Sequence, residues 1–374
     1  MEIKKITKEA CKTTRSLWEE VFPEDSVQFT DYYFEQKAPK NIGYVLGEEP
    51  YDAMMFRTPY PLCIGKEIRD ISYIVGVATR KECRHRGYMR RLLLHSFQEM
   101  YDEKQPFTFL MPANPAIYEP FDFRYIYERN LWKLREDFEI EKWMEGKNKI
   151  TDVISGKSEL KAAGFEAGRS NCSGESGLNG LYSVSYLRAA YSKLLILDML
   201  AKFVNSYLKE HYHIYVQRDI AYYEMQLKES KAQNGDIYVF FDHGELKAFF
   251  LYAKEGEEVF IQEVMEAEEG ILDFLQKEEK KKPIIMARII HLEEMMKLVC
   301  SKEPRSLVIE ITDELIGNNT GIYRWEISER GSRVTRISFD FEDRKQGIMA
   351  PEISMHITEF AAWVLQDVFI NEIV

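Results

Sequence analysis

The sequence predicts a protein of the α+β class, and three observations carry this prediction. The run Ile71–Thr79 is β-branched and nearly all apolar, which is typical of a strand buried on both faces. The segment Tyr88–Asp102 follows it with apolar residues along one side, the pattern of an amphipathic helix. Further along, Ile237–Tyr252 places two apolar runs around the turn sequence DHGE, which predicts a β-hairpin.

Short strands and helices alternate through the first third of the chain, because the apolar period changes between two and about 3.6 residues. In order, we predict a strand over Ile3–Ile6, helices over Thr13–Phe22 and Phe29–Gln36, strands over Tyr44–Leu46, Tyr51–Arg57, Tyr60–Ile64 and Ile71–Thr79, the helix Tyr88–Asp102 and a strand over Phe107–Met111.

Two changes in composition divide the rest of the chain. Ser155–Gly180 is rich in Gly, Ser and Ala, which favours a linker or mobile loop. The second break is the charged run EEKKKP at 278–283. These breaks predict domains over residues 1–150, 151–280 and 281–374. The further predicted elements are a helix over Leu181–Tyr212, a strand over Val259–Val264, a helix over Met286–Leu298, strands over Leu307–Thr312 and Ile322–Ile327, and a helical start to Ile357–Val374.

Composition limits the classes of protein to consider. Of 374 residues 45% are hydrophobic, which excludes a mainly disordered chain, and the net charge is −12. An acidic balance argues against a nucleic-acid partner and fits a cationic substrate. No segment approaches the roughly 20 apolar residues of a membrane span, and the charged start is not a signal peptide. We therefore expect a cytoplasmic protein without a membrane partner.

Cysteine usage agrees with that compartment. The five cysteines are scattered and no CxxC pair occurs, so they predict reduced thiols and neither a disulfide framework nor a zinc site. His211 and His213 are the best metal candidates, but no third ligand is near them in sequence. We expect no metal.

The turn RHRGYM at 84–89 connects the buried strand to the amphipathic helix. A helix that begins here presents its first backbone N–H groups as donors, and the helix dipole favours an anion at the same place. Gly87 permits close backbone approach, and Arg84 and Arg86 add positive charge. This predicts a polyphosphate site of neither the Walker A nor the GxGxxG type. The alternative is an ordinary basic turn between a strand and a helix.

The turn resembles the acetyl-CoA loop of the GCN5-related N-acetyltransferases (GNAT), whose pattern is (Q/R)xxGx(G/A). Arg84, Gly87 and Met89 stand at its three places, with Met89 where the family has a small residue. The resemblance implies acetyl-CoA as co-substrate and a preceding strand that pairs with the pantetheine arm. The residues it implies in acetyl-CoA binding are Val77, Ala78, Thr79, Arg84, His85, Arg86, Gly87, Tyr88, Met89, Arg90, Ala113 and Asn114.

A second motif, IYEPFDF at 117–123, is similar to the (F/I)YxxxGF segment of the same family. Tyr118 stands at the position of the tyrosine that protonates the leaving thiolate, and Asp122 replaces the usual glycine. The resemblance implies that Tyr118 is the catalytic acid. The alternative is an aromatic residue packed beside Phe121 and Phe123.

Over its whole length the chain resembles the Eis (enhanced intracellular survival) family. Three segments carry this besides the two motifs: Leu17–Phe34, Ile214–Glu229 and Ile284–Val299. The resemblance implies a GNAT domain, a second degenerate GNAT-like domain and an α/β domain like sterol carrier protein 2 (SCP2-like). It also implies a homo-oligomer, in particular a hexamer, and a base formed by the C-terminal carboxylate, here that of Val374. The alternative for Val374 is a terminus packed on a core.

The resemblance thus implies an acetyl-CoA-dependent N-acetyltransferase. It acts on a primary amine of a small or polycationic acceptor (an aminoglycoside, a polyamine or a lysine) by direct transfer in a ternary complex. A different class of function is a non-catalytic scaffold or sensor that binds an acyl-CoA or a lipid. A third alternative, an aminoacyl transferase of the cell-wall type, would need a coiled-coil insertion that binds tRNA. It is disfavoured, because the sequence shows no heptad run.

Overall fold

The structure, a computed structural model, describes residues 2–135, 180–184, 190–256, 258–337 and 351–372. Within these ranges the α-helices are α1 Arg15–Val21, α2 Val27–Tyr32, α3 Tyr88–Asp102, α4 Ala190–His211, α5 Ile220–Ala232, α6 Leu292–Leu298 and α7 Ile357–Val364. The strands are β1 Ile3–Ile6, β2 Ile42–Leu46, β3 Ala53–Ile64, β4 Glu67–Thr79, β5 Phe107–Leu110, β6 Arg124–Leu134, β7 Gly180–Ser183, β8 Ile214–Val216, β9 Asp236–Asp242, β10 Glu245–Glu255, β11 Glu258–Glu266, β12 Leu275–Ile289, β13 Arg305–Thr312, β14 Gly321–Ser328, β15 Gly331–Ile337, β16 Ile353–His356 and β17 Val368–Phe369.

The first sheet is mixed and has the order β1-β2-β3-β4-β5-β12-β6, with β8 paired to β3 and β17 paired to β8. Its pairs are antiparallel except β4–β5 and β8–β17. Helix α3 covers this sheet with the buried residues Leu92, Leu93, Phe97 and Met100, which the sequence pattern places on one face. The buried strand and the amphipathic helix predicted from the sequence are therefore confirmed, and so is the α+β class.

Strand β12 completes the first sheet although it lies about 150 residues after its neighbours in the chain. It enters between β5 and β6, with Met286 opposite both Leu110 and Tyr125. Residue 280, the predicted boundary between the second and third domains, lies inside this strand. The three predicted domain ranges stay predictions, and 155–179, most of the predicted linker, falls outside the described residues.

Two smaller sheets follow in the chain. The order in one is β11-β10-β9-β7, and its β9–β10 hairpin turns at Asp242 and Glu245, as the sequence predicts. The other has the order β15-β14-β13-β16, in which β13 and β16 are parallel. Helix α7 packs Phe360 against Trp325 of the latter sheet.

Some predicted elements are wrong, and strand pairing explains each error. The run Glu278–Pro283 lies within β12, and its residues 281–283 pair with β6. The predicted helix Met286–Leu298 begins only at Leu292, because residues up to Ile289 pair with β5. The predicted helix from Leu181 starts at Ala190, and residues 180–183 pair with β9.

The described residues were also compared with the requirements of a membrane span and of a metal site. None of their helices is both long and apolar enough to cross a membrane. No group of three or more His, Cys, Asp and Glu side chains in the described ranges is arranged to hold a metal ion.

Candidate active site

The predicted anion loop forms the beginning of helix α3. Gly87 is the N-terminal cap residue with φ of 75°, a left-handed conformation that glycine adopts without steric cost. The N-terminus of the helix has no capping side chain, and its first backbone N–H groups have no partner within the helix. A Cβ built at Gly87 would meet nothing within 4 Å, so the backbone is open to an incoming ligand. These features together make an anion site.

The side chains of this loop are mostly exposed. Arg84 donates from Nε to the Thr79 carbonyl at 3.3 Å, which ties the loop to the end of β4. His85, at φ of 60°, lies beside it. Arg86 and Arg90 are also exposed, and the Arg90 guanidinium lies 5.8 Å from the centroid of the Phe121 ring. The loop therefore presents cations around an uncapped helix N-terminus.

The end of strand β4 extends beyond its pairing with β5. Its parallel register with β5 consists of Tyr73 opposite Phe109, while β4 itself continues to Thr79. A bulge occurs at Gly76, whose φ is 61° and where a Cβ would lie 2.6 Å from Cζ3 of Trp18. This glycine is required because Trp18 occupies the space of a side chain.

Tyr118 lies after β5, between the two short turns Pro115–Ile117 and Glu119–Phe121. The Asn114 side chain accepts the Ala116 N–H at 3.0 Å and so begins the turn that ends at Tyr118. The Tyr118 ring is buried and lies 5.9 Å from the Phe123 ring. Burial raises the pKa of Tyr118 to about 12, so the phenol keeps its proton at neutral pH. A buried, protonated phenol beside an anion loop can act as a general acid.

A cavity of about 1140 Å³ brings these parts together. We call the part of its lining that comes from the loop and its neighbours the loop face: Val77, Thr79, Arg84, His85, Gly87, Tyr88, Met89, Ala113 and Tyr118. A further set of lining residues is named the second face: Trp18, Phe22, Glu24, Asp25, Tyr73, Arg129, Gln233 and Gln262. The second face thus joins residues from five separate parts of the chain.

Asp25 is the half-buried carboxylate of the second face. It accepts the indole N–H of Trp18 at 2.8 Å. Burial raises the pKa of this carboxyl, while the indole hydrogen bond opposes the shift. An acid and an aromatic ring held together in this way form a suitable surface for an ammonium group.

The last described residues pack behind the second face. Asn371 donates from Nδ2 to the Gln262 carbonyl and to Glu263, at 3.0 Å each. Glu263 is bound by the Arg218 guanidinium at 2.5 and 3.0 Å. Glu372 accepts the Tyr222 hydroxyl at 2.9 Å, and burial raises the pKa of Glu372 to about 7. Val374 lies outside the described residues.

Most of the predicted binding residues therefore lie in one place. Four of them, Ala78, Arg86, Arg90 and Asn114, are near the loop face but do not line the cavity. The Ala78 side chain is buried, because this residue pairs with Met54 inside the sheet.

Sequence reasoning missed the whole second face. Trp18, Phe22, Glu24 and Asp25 carry a local signal, since aromatic and acidic residues concentrate in α1 and in the loop that follows it. The residues around Gln233, at the end of α5, and Gln262, in β11, carry no such local signal, because only tertiary packing brings these two elements to the cavity.

Comparisons with known proteins agree with this geometry. Residues 2–126 match the family model described as an acetyltransferase (GNAT) domain. The chain carries a GNAT acetyltransferase domain. Residues 294–374 match the model of a sterol carrier protein domain. The predicted resemblance to a GNAT acetyltransferase is thus confirmed at the level of this domain, and the protein is an acyltransferase. No curated protein matches the sequence.

Solved structures share the fold over nearly the whole chain. A probable N-acyltransferase of unknown function from Enterococcus faecalis V583 has a TM-score of 0.70 at 15% identity, covering 97% of this chain and 89% of that one. A GCN5-related N-acetyltransferase from Anabaena variabilis has a TM-score of 0.66 at 13% identity, covering 97% and 89%. Eis1 from Mycobacterium abscessus has a TM-score of 0.61 at 9% identity, covering 98% and 90%. At such identities these likenesses concern the fold.

Proposed function

We propose that this protein is an N-acetyltransferase that moves the acetyl group of acetyl-CoA to a primary amine of a cationic acceptor, by direct transfer in a ternary complex. One observation carries the proposal: Tyr118, buried and protonated, lines the same cavity as the uncapped N-terminus of α3. A direct transfer needs an anion site for the donor and an acid for its leaving group in one cavity.

The residues of the loop face fit acetyl-CoA. The helix N-terminus at Gly87 and the Arg84 and Arg86 guanidinium groups suit the pyrophosphate. The end of β4, where Val77 and Thr79 line the cavity beyond the register with β5, suits the amide groups of the pantetheine arm. Acetyl-CoA supplies an activated acetyl group when it binds.

The chemistry balances with one acid and one base. The acceptor nitrogen forms a bond to the acetyl carbon, and the carbon–sulfur bond breaks. The Tyr118 hydroxyl gives its proton to the sulfur, while a base takes one proton from the acceptor nitrogen. Since a free primary amine has a pKa of about 10, the ammonium must lose another proton to water before it attacks, so the nitrogen loses two protons in all. The Tyr118 phenolate then recovers a proton from solvent, and the net reaction releases one proton.

We propose the carboxylate of Val374 as the group that orients this water and stabilises the positive charge. The last described residues support the idea, since Asn371 bonds to the backbone of Gln262, which lines the cavity. A carboxylate with a pKa of about 3.5 is a weak base, so its role is to position and stabilise charge.

For the acceptor we propose a cationic amine, among them an aminoglycoside, a polyamine or a lysine side chain. Glu24 and Asp25 place two acidic groups in the cavity, and aromatic rings at Trp18 and Phe22 lie beside them. The net charge of −12 favours the approach of a polycation. We further propose a cytoplasmic homo-oligomer, in particular a hexamer, which sedimentation of the purified protein would check.

An acceptor panel tests the proposal. Purified protein is incubated with acetyl-CoA and, separately, with an aminoglycoside, a polyamine, a lysine peptide and a neutral alcohol, and release of free thiol is measured. We expect thiol release that saturates with at least one of the amines and none with the alcohol. Saturable acetyl-CoA binding by calorimetry, with no thiol release for any amine, would contradict the proposal and favour a non-catalytic binding protein.

A second experiment addresses Val374. Adding two glycines after Val374 moves the terminal carboxylate, whereas Val374→Ala keeps a carboxylate at the same position. We expect the extension to lower kcat and Val374→Ala to leave kcat nearly unchanged. Equal kcat values for both variants would remove Val374 from the mechanism.

A further inference from the structure

Arg288 connects parts of the molecule that are far apart in sequence. It lies in β12 opposite Thr108 of β5, and its side chain is completely buried. One end of its guanidinium group bonds to Asp313 at 2.8 and 3.1 Å, and the other bonds to Asp122 at 3.2 Å. A buried guanidinium between two carboxylates fixes the relative position of all three groups.

Asp122 closes the turn that holds Tyr118. Its φ is 62°, and it ends the short turn Glu119–Phe121. The Tyr118 carbonyl accepts the N–H of Phe121 at 2.9 Å and that of Phe123 at 3.4 Å. The backbone of Tyr118 is therefore part of the same turn whose end Arg288 binds.

A second connection runs through aromatic rings. The Arg288 guanidinium lies 5.1 Å from the centroid of the Phe97 ring in α3. Phe97 lies 6.1 Å from Phe123, and Phe123 lies 5.9 Å from Tyr118. Arg288 thus reaches Tyr118 through the backbone turn and through a chain of packed rings.

Asp313 anchors the other side of Arg288 within the region matched as a sterol carrier protein domain. It follows strand β13, and its side chain is fully buried. Its oxygens accept the backbone N–H groups of Leu315 and Ile316, at 3.0 and 2.9 Å, and the Asn319 side chain at 2.9 Å. This carboxylate is held from several directions, so it is a rigid point of attachment for Arg288.

We propose that Arg288 is a positioning residue for the acetyl transfer: it attaches the Tyr118 turn, through Asp122, to Asp313 and so sets the direction of the Tyr118 hydroxyl. The inference rests on the proposed function, in which Tyr118 is the acid. The Arg288 proposal also explains why residue 122 is an aspartate, although the related motif has glycine there. The backbone conformation at this position is one that suits glycine, but the aspartate carboxylate gives Arg288 its second partner.

A buried ion pair with a purely structural role makes a different prediction. Loss of such a pair lowers the free energy of unfolding but affects kcat equally whether or not the acid is present. A positioning role acts only through Tyr118, so its effect on kcat disappears when Tyr118 cannot donate a proton.

A double-mutant cycle separates the two. Arg288→Lys is made alone and with Tyr118→Phe, and kcat and the KM for acetyl-CoA are measured with the best amine acceptor. We expect Arg288→Lys to lower kcat about tenfold with KM changed less than about twofold, because a misplaced catalytic group costs rate rather than binding. In the Tyr118→Phe background we expect less than about a twofold further change.

Asp122→Gly provides a second route if Arg288→Lys does not fold. Glycine accepts the φ of 62°, so only the carboxylate is lost. We expect a decrease in kcat similar to that of Arg288→Lys, and again none in the Tyr118→Phe background. Arg57→Lys is the matched control, since Arg57 is also completely buried and binds Glu103 at 3.0 Å. It is expected to lower the melting temperature without changing kcat.

The outcomes are distinguishable. If Tyr118→Phe lowers kcat but Arg288→Lys and Asp122→Gly leave it unchanged, or lower it equally in both backgrounds, the Arg288 proposal is wrong and the acid role stands. If Tyr118→Phe itself leaves kcat unchanged, both the acid role and the Arg288 proposal are overturned.

Discussion

The two faces of the cavity are built in opposite ways. The loop face comes mainly from one stretch of chain, Val77–Tyr118, in which a strand, a glycine cap and a helix follow one another directly. The second face combines α1 and the loop after it, strands β4, β6 and β11, and the end of α5. The loop face carries the exposed Arg84, whereas the second face carries the exposed Glu24, the half-buried Asp25, Arg129 and aromatic rings.

This difference separates two tasks. A polyphosphate can be bound by backbone N–H groups and charge, which a short local motif provides. An acceptor amine must be recognised and aligned by groups from several segments, so its specificity depends on how those segments pack. We therefore expect changes in the loop face to affect acetyl-CoA, and changes in the second face to affect the amine.

Tyr118, on the loop face, gives the largest expected effect. Tyr118→Phe is expected to lower kcat by about 100-fold or more, because general acid catalysis contributes on this order. Since burial raises the pKa of Tyr118 to about 12, the phenol stays protonated and we expect no alkaline fall of wild-type kcat up to about pH 10. Tyr125→Phe, at an exposed tyrosine, is the control and is expected to keep wild-type kcat.

Glu372 tests the support behind the second face. Burial raises its pKa to about 7, above that of a glutamate in an unfolded chain, while Arg218 and the Tyr222 hydroxyl oppose the shift. The stability from its protonation is complete below about pH 4 and is lost as pH rises through 7.

Glu372→Gln removes this titration. We expect the loss of unfolding free energy between pH 5 and pH 8 to be about 2–3 kcal/mol smaller in Glu372→Gln than in wild type, measured by urea unfolding. Glu329→Gln, at an exposed position, controls for the substitution itself. An equal loss in wild type and Glu372→Gln would show that Glu372 is ionised throughout.

Gly87 tests whether the loop face binds acetyl-CoA through its backbone. Gly87→Ala strains a residue at φ of 75°, at a cost of roughly 1–2 kcal/mol, and tilts the N–H groups that follow. We expect the KM for acetyl-CoA to rise about tenfold with the KM for the amine unchanged. Gly244→Ala in the β9–β10 turn, at φ of 80° and with equally open surroundings, is expected to lose similar stability without a change in KM.

Asp25 tests the second face with the smallest expected effect. Asp25→Asn keeps an acceptor for the Trp18 indole and removes the charge, so we expect the KM for a diamine to rise about fivefold, as for loss of a partly exposed charge contact of about 1 kcal/mol. The KM for acetyl-CoA is expected to stay the same, as is every parameter of Asp70→Asn at an exposed position. A larger effect on acetyl-CoA than on the diamine would reverse the assignment of the two faces.

The loop face could be predicted from the sequence because its signals are local. A β-branched run, a glycine and an amphipathic helix in succession specify a strand, a left-handed cap and a helix without reference to distant residues. Tyr118 is predicted differently, through the resemblance of the seven-residue motif at 117–123 to a segment of the GNAT family.

Predictions from local sequence fail where a segment pairs with a strand that is distant in the chain. The charged run 278–283 carries the composition of a linker, yet it lies in a strand, because β6 pairs with residues 275–277 before its middle and with 281–283 at its end. For the same reason the apolar residues before Ile289 form a strand and not a helix, since β5 pairs with them inside the first sheet. Periodicity alone does not distinguish a short buried strand from a buried helix.

The sequence is sufficient to predict the class of the fold and the turn around Gly87, because neighbouring residues encode both, and the family resemblance adds Tyr118 as the candidate acid. Only the tertiary structure decided that Asp25 and Gln262 share a cavity with Tyr118, and that Arg288 lies between Asp122 and Asp313. The physical reason is that buried charges require partners wherever the chain folds back, and such partners leave no pattern in sequence.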